Sequence, residues 1–301
     1  METSWRENVL SGCSLDRVPE KRNDEEWLNH LFQDPSTRYV PIAGNRGLVH
    51  RNGAEMRWVS GPDAARLASE PEKILLGMHE GVAYVATLMP SGEGSDQFAL
   101  ELGADFVDLR PVASKLPVFD ASIFAYARAM VHWRATHHFC GVCGSRTRIE
   151  QGGQVAKCMS PKCGKSHFPR TDSAMIVLIR HGDKALLARQ ASWPPGMYAA
   201  VAGFLEPGES LEDCVAREVM EETGLRLSHI AYHSSQPWPF PGSIMIGFHA
   251  RAATTTLCLD TDELEDARWF TREEASKLPF AFTYSISYRL IKDWIDGLEI
   301  I

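Results

Sequence analysis

The sequence predicts an α/β (α+β) fold in three parts, and three observations support this prediction. Short apolar runs typical of strands alternate with turn residues from Arg38 to about Leu109. Four cysteines then cluster in two pairs between positions 140 and 163. Beyond Ser173, strand patterns alternate with helical patterns, which is typical of a sheet packed between helices. We therefore expect three domains: a β-rich N-terminal domain ending in a linker helix (1–135), a cysteine-rich ribbon (136–170) and an α/β sandwich (171–301).

Length and composition are those of a soluble globular protein. The 301 residues exceed the usual single domain, and 44% are hydrophobic while 23% are charged. We find no apolar run long enough for a transmembrane helix, and the start METSWRENVL lacks the apolar core of a signal peptide. The cysteines cluster in pairs rather than spreading as a disulfide framework. These features predict a cytoplasmic location and no membrane partner.

The net charge of −8 is unevenly distributed along the chain. Residues 1–133 carry −6 and residues 171–301 carry −8, whereas residues 134–170 hold seven basic and one acidic side chain, or +6. An acidic protein does not capture nucleic acid by general electrostatic attraction. Only the middle segment is therefore a candidate basic surface.

The N-terminal domain is predicted to consist mainly of strands. Residues 1 to about 35 are polar, and Pro19–Glu26 is interpreted as a surface arm. A helical pattern of apolar residues spans roughly Asp120 to His137. The predicted strands are Arg38–Ile42, Gly47–Val49, Met56–Val59, Lys73–Met78, Val82–Thr87 and Phe98–Leu100.

The cysteine pairs predict a structural zinc site. Cys140 and Cys143 enclose two residues, and Cys158 and Cys163 follow after 14 more residues. Paired cysteines on two turns are typical of a zinc ribbon, and four thiolates fill a tetrahedral Zn²⁺ completely. The basic side chains nearby either balance the negative charge of this site or contact nucleic acid.

The C-terminal domain is predicted to contain six strands and three helices. The first helix follows Ser210, a candidate N-cap, and ends at Gly224. The other two helices are predicted at Arg272–Lys277 and Ser285–Ile295. The predicted strands are Ser173–Arg180, Lys184–Arg189, Ala199–Ala202, Ile230–Ser234, Ser243–Ala252 and Arg268–Phe270.

The helix after Ser210 concentrates glutamates on one side. Glu218 and Glu222 are separated by four residues, so both carboxylates project from the same face, and Glu221 flanks them. Like charges at this spacing destabilise a helix unless a cation lies between them, and Mg²⁺ or Mn²⁺ prefers such oxygen ligands. The alternative is a solvated acidic face on a surface helix.

A proline-rich segment, Ser235–Ser243, lies between two predicted strands. Its three prolines favour a rigid, extended loop that presents Trp238 and Phe240. Rigid aromatic rings suit stacking on a planar base, and Gln236 and Ser243 offer hydrogen bonds. The alternative is a loop with a purely structural role.

The spacing around the glutamate helix resembles the Nudix box. The matching positions are Gly203, Glu209, Arg217, Glu218, Glu221, Glu222, Gly224 and Leu225. Together with the ribbon and the proline-rich loop, the chain resembles the NADH pyrophosphatases of the Nudix superfamily, the NudC type, over essentially its whole length. The resemblance implies a homodimeric enzyme that hydrolyses NAD(H) to NMN(H) and AMP and removes NAD caps from RNA. The alternative is a non-catalytic NAD(H)-binding or zinc-ribbon nucleic-acid-binding regulator.

The resemblance also implies residue roles. The Mg²⁺ or Mn²⁺ ligands match Glu218, Glu222, Glu263 and the carbonyl of Ala202, and the catalytic set adds Glu221. Either Glu221 or Glu222 is the general base, and Glu209 pairs with Arg217. The substrate-binding positions match Phe168, Phe204, Gln236, Pro237, Trp238, Pro239, Phe240, Pro241, Gly242, Ser243 and Ser287. Phe168, Ser173 and Ser287 stand where tyrosine, proline and alanine are usual.

Overall fold

The computed structural model describes residues 8–53, 55–64, 72–280 and 282–298, and the chain divides into two compact units. The N-terminal unit comprises Leu10–Thr171 together with Pro239–Gly242. The C-terminal unit comprises Met1–Val9, Asp172–Trp238 and Ser243–Ile301. The separation of the N-terminal unit into two domains stays a prediction.

A five-stranded sheet organises the N-terminal unit. Its order is β3-β4-β1-β2-β5, and β1 runs parallel to β4 while the other neighbours are antiparallel. Helix α4 packs on this sheet so closely that a Cβ on Gly47 would lie 2.5 Å from the Phe124 ring. The strands are β1 (Arg38–Ala43), β2 (Arg46–His50), β3 (Lys73–His79), β4 (Val82–Met89) and β5 (Ala104–Asp108). The helices are α1 (Glu25–Gln33), α2 (Gly61–Ala64), α3 (Glu93–Glu101) and α4 (Val118–Thr136).

Two predictions for the N-terminal unit are wrong. Phe98–Leu100 lies inside α3, where Phe98 and Ala99 are buried, because a short apolar run fits a helix as well as a strand. Met56–Val59 forms only isolated bridges. The predicted surface segment Pro19–Glu26 is exposed apart from the half-buried Arg22, and α1 begins at its end, capped by Asp24.

A three-stranded antiparallel sheet forms the ribbon within the same unit. Its strands are β6 (Thr147–Glu150), β7 (Val155–Cys158) and β8 (Ser166–His167). The buried Arg134 of α4 donates to both carboxylate oxygens of Glu72, at 2.6 and 2.7 Å, and to Thr147 of β6 at 2.7 Å. These charge-assisted hydrogen bonds connect the ribbon to the sheet domain.

The C-terminal unit is an α/β/α sandwich, and the predicted fold class is confirmed. Its sheet has the order β12-β13-β9-β10-β14, and β11 pairs with β9. Only β13 and β9 are parallel among the paired strands described. The strands are β9 (Asp172–His181), β10 (Lys184–Arg189), β11 (Val201–Phe204), β12 (Leu227–Trp238), β13 (Ser243–Ala252) and β14 (Asp266–Thr271). The helices are α5 (Leu211–Thr223), α6 (Arg272–Ser276) and α7 (Ile286–Ile295).

Alternation along β9 builds both layers of this sandwich. Met175 and Val177 pack in the core that contains Val219 of α5. Ile176 and Leu178 pack in the core that contains Trp294 of α7. Successive side chains of a strand point to opposite faces, so one strand supplies both cores.

The predicted C-terminal elements are all present, and the bounds of two strands differ most. Strand β12 continues to Trp238, four residues beyond the predicted Ser234, and so includes Gln236. Strand β11 begins at Val201 rather than at Ala199. No helix in the described ranges has the length and apolar character that crossing a membrane requires.

Candidate active site

The termini and the buried face of α5 fix its orientation. Ser210 Oγ accepts from the Asp213 amide and the Asp213 carboxylate accepts from the Ser210 amide, each at 3.1 Å, forming a capping box. Gly224 ends the helix with φ at 70°. Cys214, Val215 and Val219 are fully buried. Glu218 is four positions after Cys214 and Glu222 three after Val219, so both carboxylates project from this buried side of the helix, where Glu218 meets β11.

Strand β11 approaches this face so closely that position 203 has no room for a side chain. A Cβ on Gly203 would lie 1.9 Å from Cδ of Glu218 and 2.1 Å from its Oε1. No real Cβ contact is this short. The Glu218 carboxylate therefore occupies the space that a Gly203 side chain would need.

An acidic cavity of about 840 Å³ lies beside α5 and β11. All four residues predicted as ligands of the catalytic metal line it: Ala202, Glu218, Glu222 and Glu263. Phe204, predicted to stack on nicotinamide, lines it as well. Sequence reasoning missed Glu206, Asp262, Glu265 and Gln190, which also line it and which no box position identifies.

The electrostatics of this cavity fit a bound divalent cation. Glu222 is only 7% exposed. Burial, and then the neighbouring carboxylates of Glu218 and Glu263, raise the pKa of Glu222 to about 8. Burial also raises the pKa of Glu218, against the opposing effect of Arg217. Buried like charges need a counter-charge, and carboxylate oxygens are the ligands that Mg²⁺ and Mn²⁺ prefer. Nudix hydrolases use divalent metals, and this donor set suits them.

Arg217 connects the loop before α5 to the glutamates. Its guanidinium binds both carboxylate oxygens of Glu209, with Nη2–Oε2 at 3.0 Å, as expected for the predicted pair. This contact lowers the pKa of Glu209 to about 2. Nη2 also donates to the Phe204 carbonyl at 3.0 Å, and Nη1 lies 3.0 Å from Glu218 Oε1. One side chain thus holds the loop, the strand and a proposed metal ligand together.

Glu221 is placed differently from its neighbours. Its side chain is 56% exposed and accepts from Arg217 Nη1 at 2.8 Å. It is not among the residues described as lining the acidic cavity. Its predicted catalytic role therefore stays a prediction without support from its position.

A second, apolar cavity of about 320 Å³ also includes Ala202 in its lining. Two predicted substrate-binding residues, Trp238 and Ser287, line it. The Trp238 ring stacks on Tyr284 with centroids 6.0 Å apart, and Ser287 Oγ accepts from the Ala200 amide at 3.1 Å. Aromatic residues that sequence reasoning missed also line this cavity: Trp193, Tyr198, Phe280, Phe282 and Tyr288.

Gln236 requires a correction. It is fully buried, and its amide donates to the carbonyls of Val9 at 2.7 Å and Tyr284 at 2.8 Å. Its Oε1 accepts from the Ile286 amide at 2.8 Å. These bonds use the side chain to fix the start of α7, so it offers no hydrogen bond to a ligand in this structure.

The remaining predicted substrate positions lie outside both cavities. Ser243 is buried at the start of β13, where it pairs with Trp238. Phe240 belongs to the N-terminal unit, where the guanidinium groups of Arg110 and Arg128 lie 4.1 and 4.7 Å from its ring centroid. Phe168 is exposed in the same unit. The described cavity linings do not include Pro237, Pro239, Pro241 or Gly242.

The four cysteines of the ribbon form a separate cluster. All four sulfur atoms lie within 4.8 Å of one another, with Cys143–Cys158 at 3.4 Å and Cys140–Cys163 at 3.8 Å. Tetrahedral zinc with Zn–S bonds of 2.3 Å separates its sulfur ligands by about 3.8 Å. Hydrogen bonds from Ser145 lower the pKa of Cys143 to about 6, which favours the thiolate. His167 Nε2 lies 3.2 Å from Cys140 Sγ, a neighbour that the sequence did not identify.

A sandwich of this topology, with a glutamate helix beside a deep acidic cavity, defines a Nudix hydrolase. The NUDIX domain family model matches residues 169–291, and the NADH pyrophosphatase-like rudimentary NUDIX domain matches residues 36–133. The chain therefore belongs to the Nudix hydrolase family, in the group that carries the NADH pyrophosphatase-like domain. The predicted family and enzyme class are confirmed.

Two relatives match nearly the whole chain and a third matches part of it. NAD-capped RNA hydrolase NUDT12 from Homo sapiens is 33% identical over 339 residues, covering 96% of this chain and 73% of its own. NAD-capped RNA hydrolase NudC from Mycobacterium bovis is 33% identical over 312 residues, and the match covers 95% of this chain and 94% of that protein. NudC from Stutzerimonas stutzeri is 41% identical over 194 residues, covering 62% and 70%.

Substituting alanine for Gly203 should lower the rate of substrate hydrolysis by about 100-fold, because a displacement of about 1 Å in a catalytic group has effects of this size. The added Cβ forces the Glu218 carboxylate away from β11. Steady-state kinetics and the unfolding temperature should be measured together. Gly94→Ala is the control, since nothing lies within 4 Å of a Cβ at that position. Wild-type kinetics in Gly203→Ala would contradict the assigned role of Glu218.

Proposed function

We propose that this chain hydrolyses the pyrophosphate bond of NAD(H), giving NMN(H) and AMP, and that it also removes NAD caps from RNA. One observation carries the proposal: Ala202 lines both the glutamate cavity and the aromatic cavity. The glutamate cavity suits a metal-bound diphosphate, and the aromatic cavity suits a planar ring. The printed names of the relatives, NAD-capped RNA hydrolases, support this substrate class.

Glu218, Glu222, Glu263 and the Ala202 carbonyl would hold Mg²⁺ or Mn²⁺. The bound metal would neutralise phosphate oxygens and lower the pKa of a water molecule. Arg217 keeps Glu218 in place and, through the Phe204 carbonyl, fixes the end of β11 beside it. Glu222 lies in the cavity whereas Glu221 faces Arg217, so we assign Glu222 as the acceptor of the water proton.

The aromatic cavity would select the substrate. Trp193, Trp238 and Tyr288 supply ring faces and edges, and Met245 supplies a polarisable thioether. Rings that stack on a base discriminate by shape rather than by charge. A diphosphate bearing a planar ring therefore gains contacts there that inorganic pyrophosphate lacks.

The alternative, a regulator that binds NAD(H) or nucleic acid without cleaving it, has less support. Every glutamate of the box is present, and all four proposed metal ligands line one cavity. A binding protein has no need to accumulate buried like charges, which destabilise the fold. The resemblance also leads us to propose a cytoplasmic homodimer, and the seven free cysteines are consistent with a reducing compartment.

Changing Glu222 to glutamine should lower the rate of NADH hydrolysis by more than about 100-fold. Removing a group that only orients a metal ligand already costs about 10- to 100-fold in activity, and Glu222 is proposed to contact the metal itself. Because the pKa of Glu222 is raised to about 8, glutamine resembles the protonated carboxyl that prevails near neutral pH without a metal, so the unfolding temperature of the metal-free protein should not fall. Glu212→Gln, an exposed glutamate of the same helix, is the control and should keep full activity. Full activity in Glu222→Gln would refute the assignment.

Product analysis separates the candidate substrates. The purified enzyme, with Mg²⁺ or Mn²⁺, should release NMNH and AMP from NADH, and 5′-monophosphorylated RNA from NAD-capped RNA. NAD and ADP-ribose complete the panel. If none of the four is cleaved with either metal, the proposed function is wrong.

The cysteine cluster is proposed to hold a structural Zn²⁺. Changing Cys158 to serine should remove the metal, as measured by elemental analysis, and lower the unfolding temperature by more than about 5 °C, because structural zinc contributes folding free energy. The buried Cys214 in α5 provides a matched control, since Cys214→Ser should leave the zinc content unchanged. Zinc retained at one ion per chain in Cys158→Ser would contradict the site.

A further inference from the structure

The ribbon exposes apolar side chains that the proposed reaction does not use. Phe139 is 58% exposed, Val142 67% and Met159 56%. Each lies beside a cysteine of the cluster, in or next to a turn. Apolar side chains that gather on one exposed face often mark an interaction site. We call Phe139, Val142, Met159 and the neighbouring Arg146 the ribbon surface.

Backbone pairing makes the ribbon surface continuous. Phe139 and Arg146 are bridge partners, and the Arg146 guanidinium lies 5.9 Å from the Phe139 ring centroid. The Met159 amide donates to the Arg146 carbonyl at 2.9 Å. Val142 lies in the turn that ends at Cys143, whose sulfur is 3.4 Å from that of Cys158. Phe139, Arg146 and Met159 therefore lie on adjacent backbone segments, and the turn that carries Val142 is held to them through the cysteine cluster.

The charge around this surface is positive beyond what the metal site requires. Residues 134–170 carry +6, four thiolates with one Zn²⁺ contribute −2, and Glu72, which pairs with the buried Arg134, contributes −1, so +3 remains. Arg148 pairs with Glu150. Arg146, Lys162 and Lys165 are exposed, and no described carboxylate forms an ion pair with them. These three cations are thus available to an anionic partner.

We propose that the ribbon surface binds the single-stranded RNA that follows the cap. Aromatic rings that stack on bases, combined with cations that follow the phosphates, are the usual means of binding single strands without sequence preference. Phe139 supplies the ring, and Arg146 supplies a guanidinium that stacks or contacts a phosphate. The exposed ring beside exposed cations suits the alternating bases and phosphates of a single strand, and contact with a second copy of this acidic chain is an outcome of the test below. This inference rests on the proposed function in that capped RNA is a substrate.

Measuring RNA binding and NADH hydrolysis on the same variants tests this proposal. Phe139→Ser combined with Arg146→Gln should bind an uncapped, 5′-monophosphorylated single-stranded RNA at least about tenfold more weakly in fluorescence anisotropy. The slope of log affinity against log salt should fall by about 0.7 for each lost phosphate contact. The kcat/KM for NADH should stay within about twofold, while that for NAD-capped RNA falls.

The matched control is Val118→Ser combined with Lys115→Gln. Val118 is exposed to the same extent as Phe139, at 58%, and Lys115 is exposed in the same unit. This control should bind RNA like the unaltered protein. If the double variant fails to fold, the single variant Arg146→Gln replaces it in the same RNA-binding measurement, after its zinc content has been verified.

Two results would overturn the proposal. One is RNA binding equal to that of the unaltered protein. The other is a change of oligomeric state in light scattering, with loss of NADH hydrolysis, which would assign the ribbon surface to contact between copies of this chain. If the proposed function is wrong, the unaltered protein will cleave neither NADH nor NAD-capped RNA. The RNA affinities of the unaltered protein and the variants can still be compared in that case, so the two failures are distinguishable.

Discussion

The close contact between the Glu218 carboxylate and the backbone of Gly203 determines how the site is built. A helix brings its side chain this near to a strand only if both are fixed by their own layers. Helix α5 is fixed by its buried face of Cys214, Val215 and Val219, and β11 is fixed by pairing with β9. The core of the sandwich thus provides the rigidity that a preorganised metal site requires.

Arg217 resolves an electrostatic conflict that this arrangement creates. The carboxylates of Glu209, Glu218 and Glu221 all lie within hydrogen-bonding or ion-pair distance of its guanidinium. The planar fork binds Glu209 through two nitrogen atoms, a geometry that lysine does not provide. Glu222 is buried beside Glu218 and Glu263, and burial, followed by these carboxylates, raises its pKa. The uncompensated charge is therefore concentrated where the cavity is, which is where a cation would bind.

The sequence predicted local features well and long-range contacts poorly. The cap at Ser210 and the helix end at Gly224 follow from residue types along one segment, and the pairing of Glu209 with Arg217 followed from the resemblance. The convergence of Glu263 on the same cavity followed only from resemblance. Phe98 was misassigned because three apolar residues carry no period. The aromatic wall from Trp193 and Phe280 was missed, since these residues are 87 positions apart and only the fold brings them together.

Gln236 illustrates why a motif alone does not assign a role. Its place among prolines and aromatic residues suggested an exposed ligand-binding amide, yet every hydrogen bond recorded for its side chain goes to the backbone. These bonds connect β12 to the first residues of α7, and Ser287 follows immediately. Gln236 therefore affects the aromatic cavity indirectly. By binding the Ile286 amide, it fixes the start of α7, and Ser287 and Tyr288 of that helix line the cavity. Loss of the amide would leave a buried carbonyl and a buried amide group without partners, so its effect on substrate binding would come through the fold.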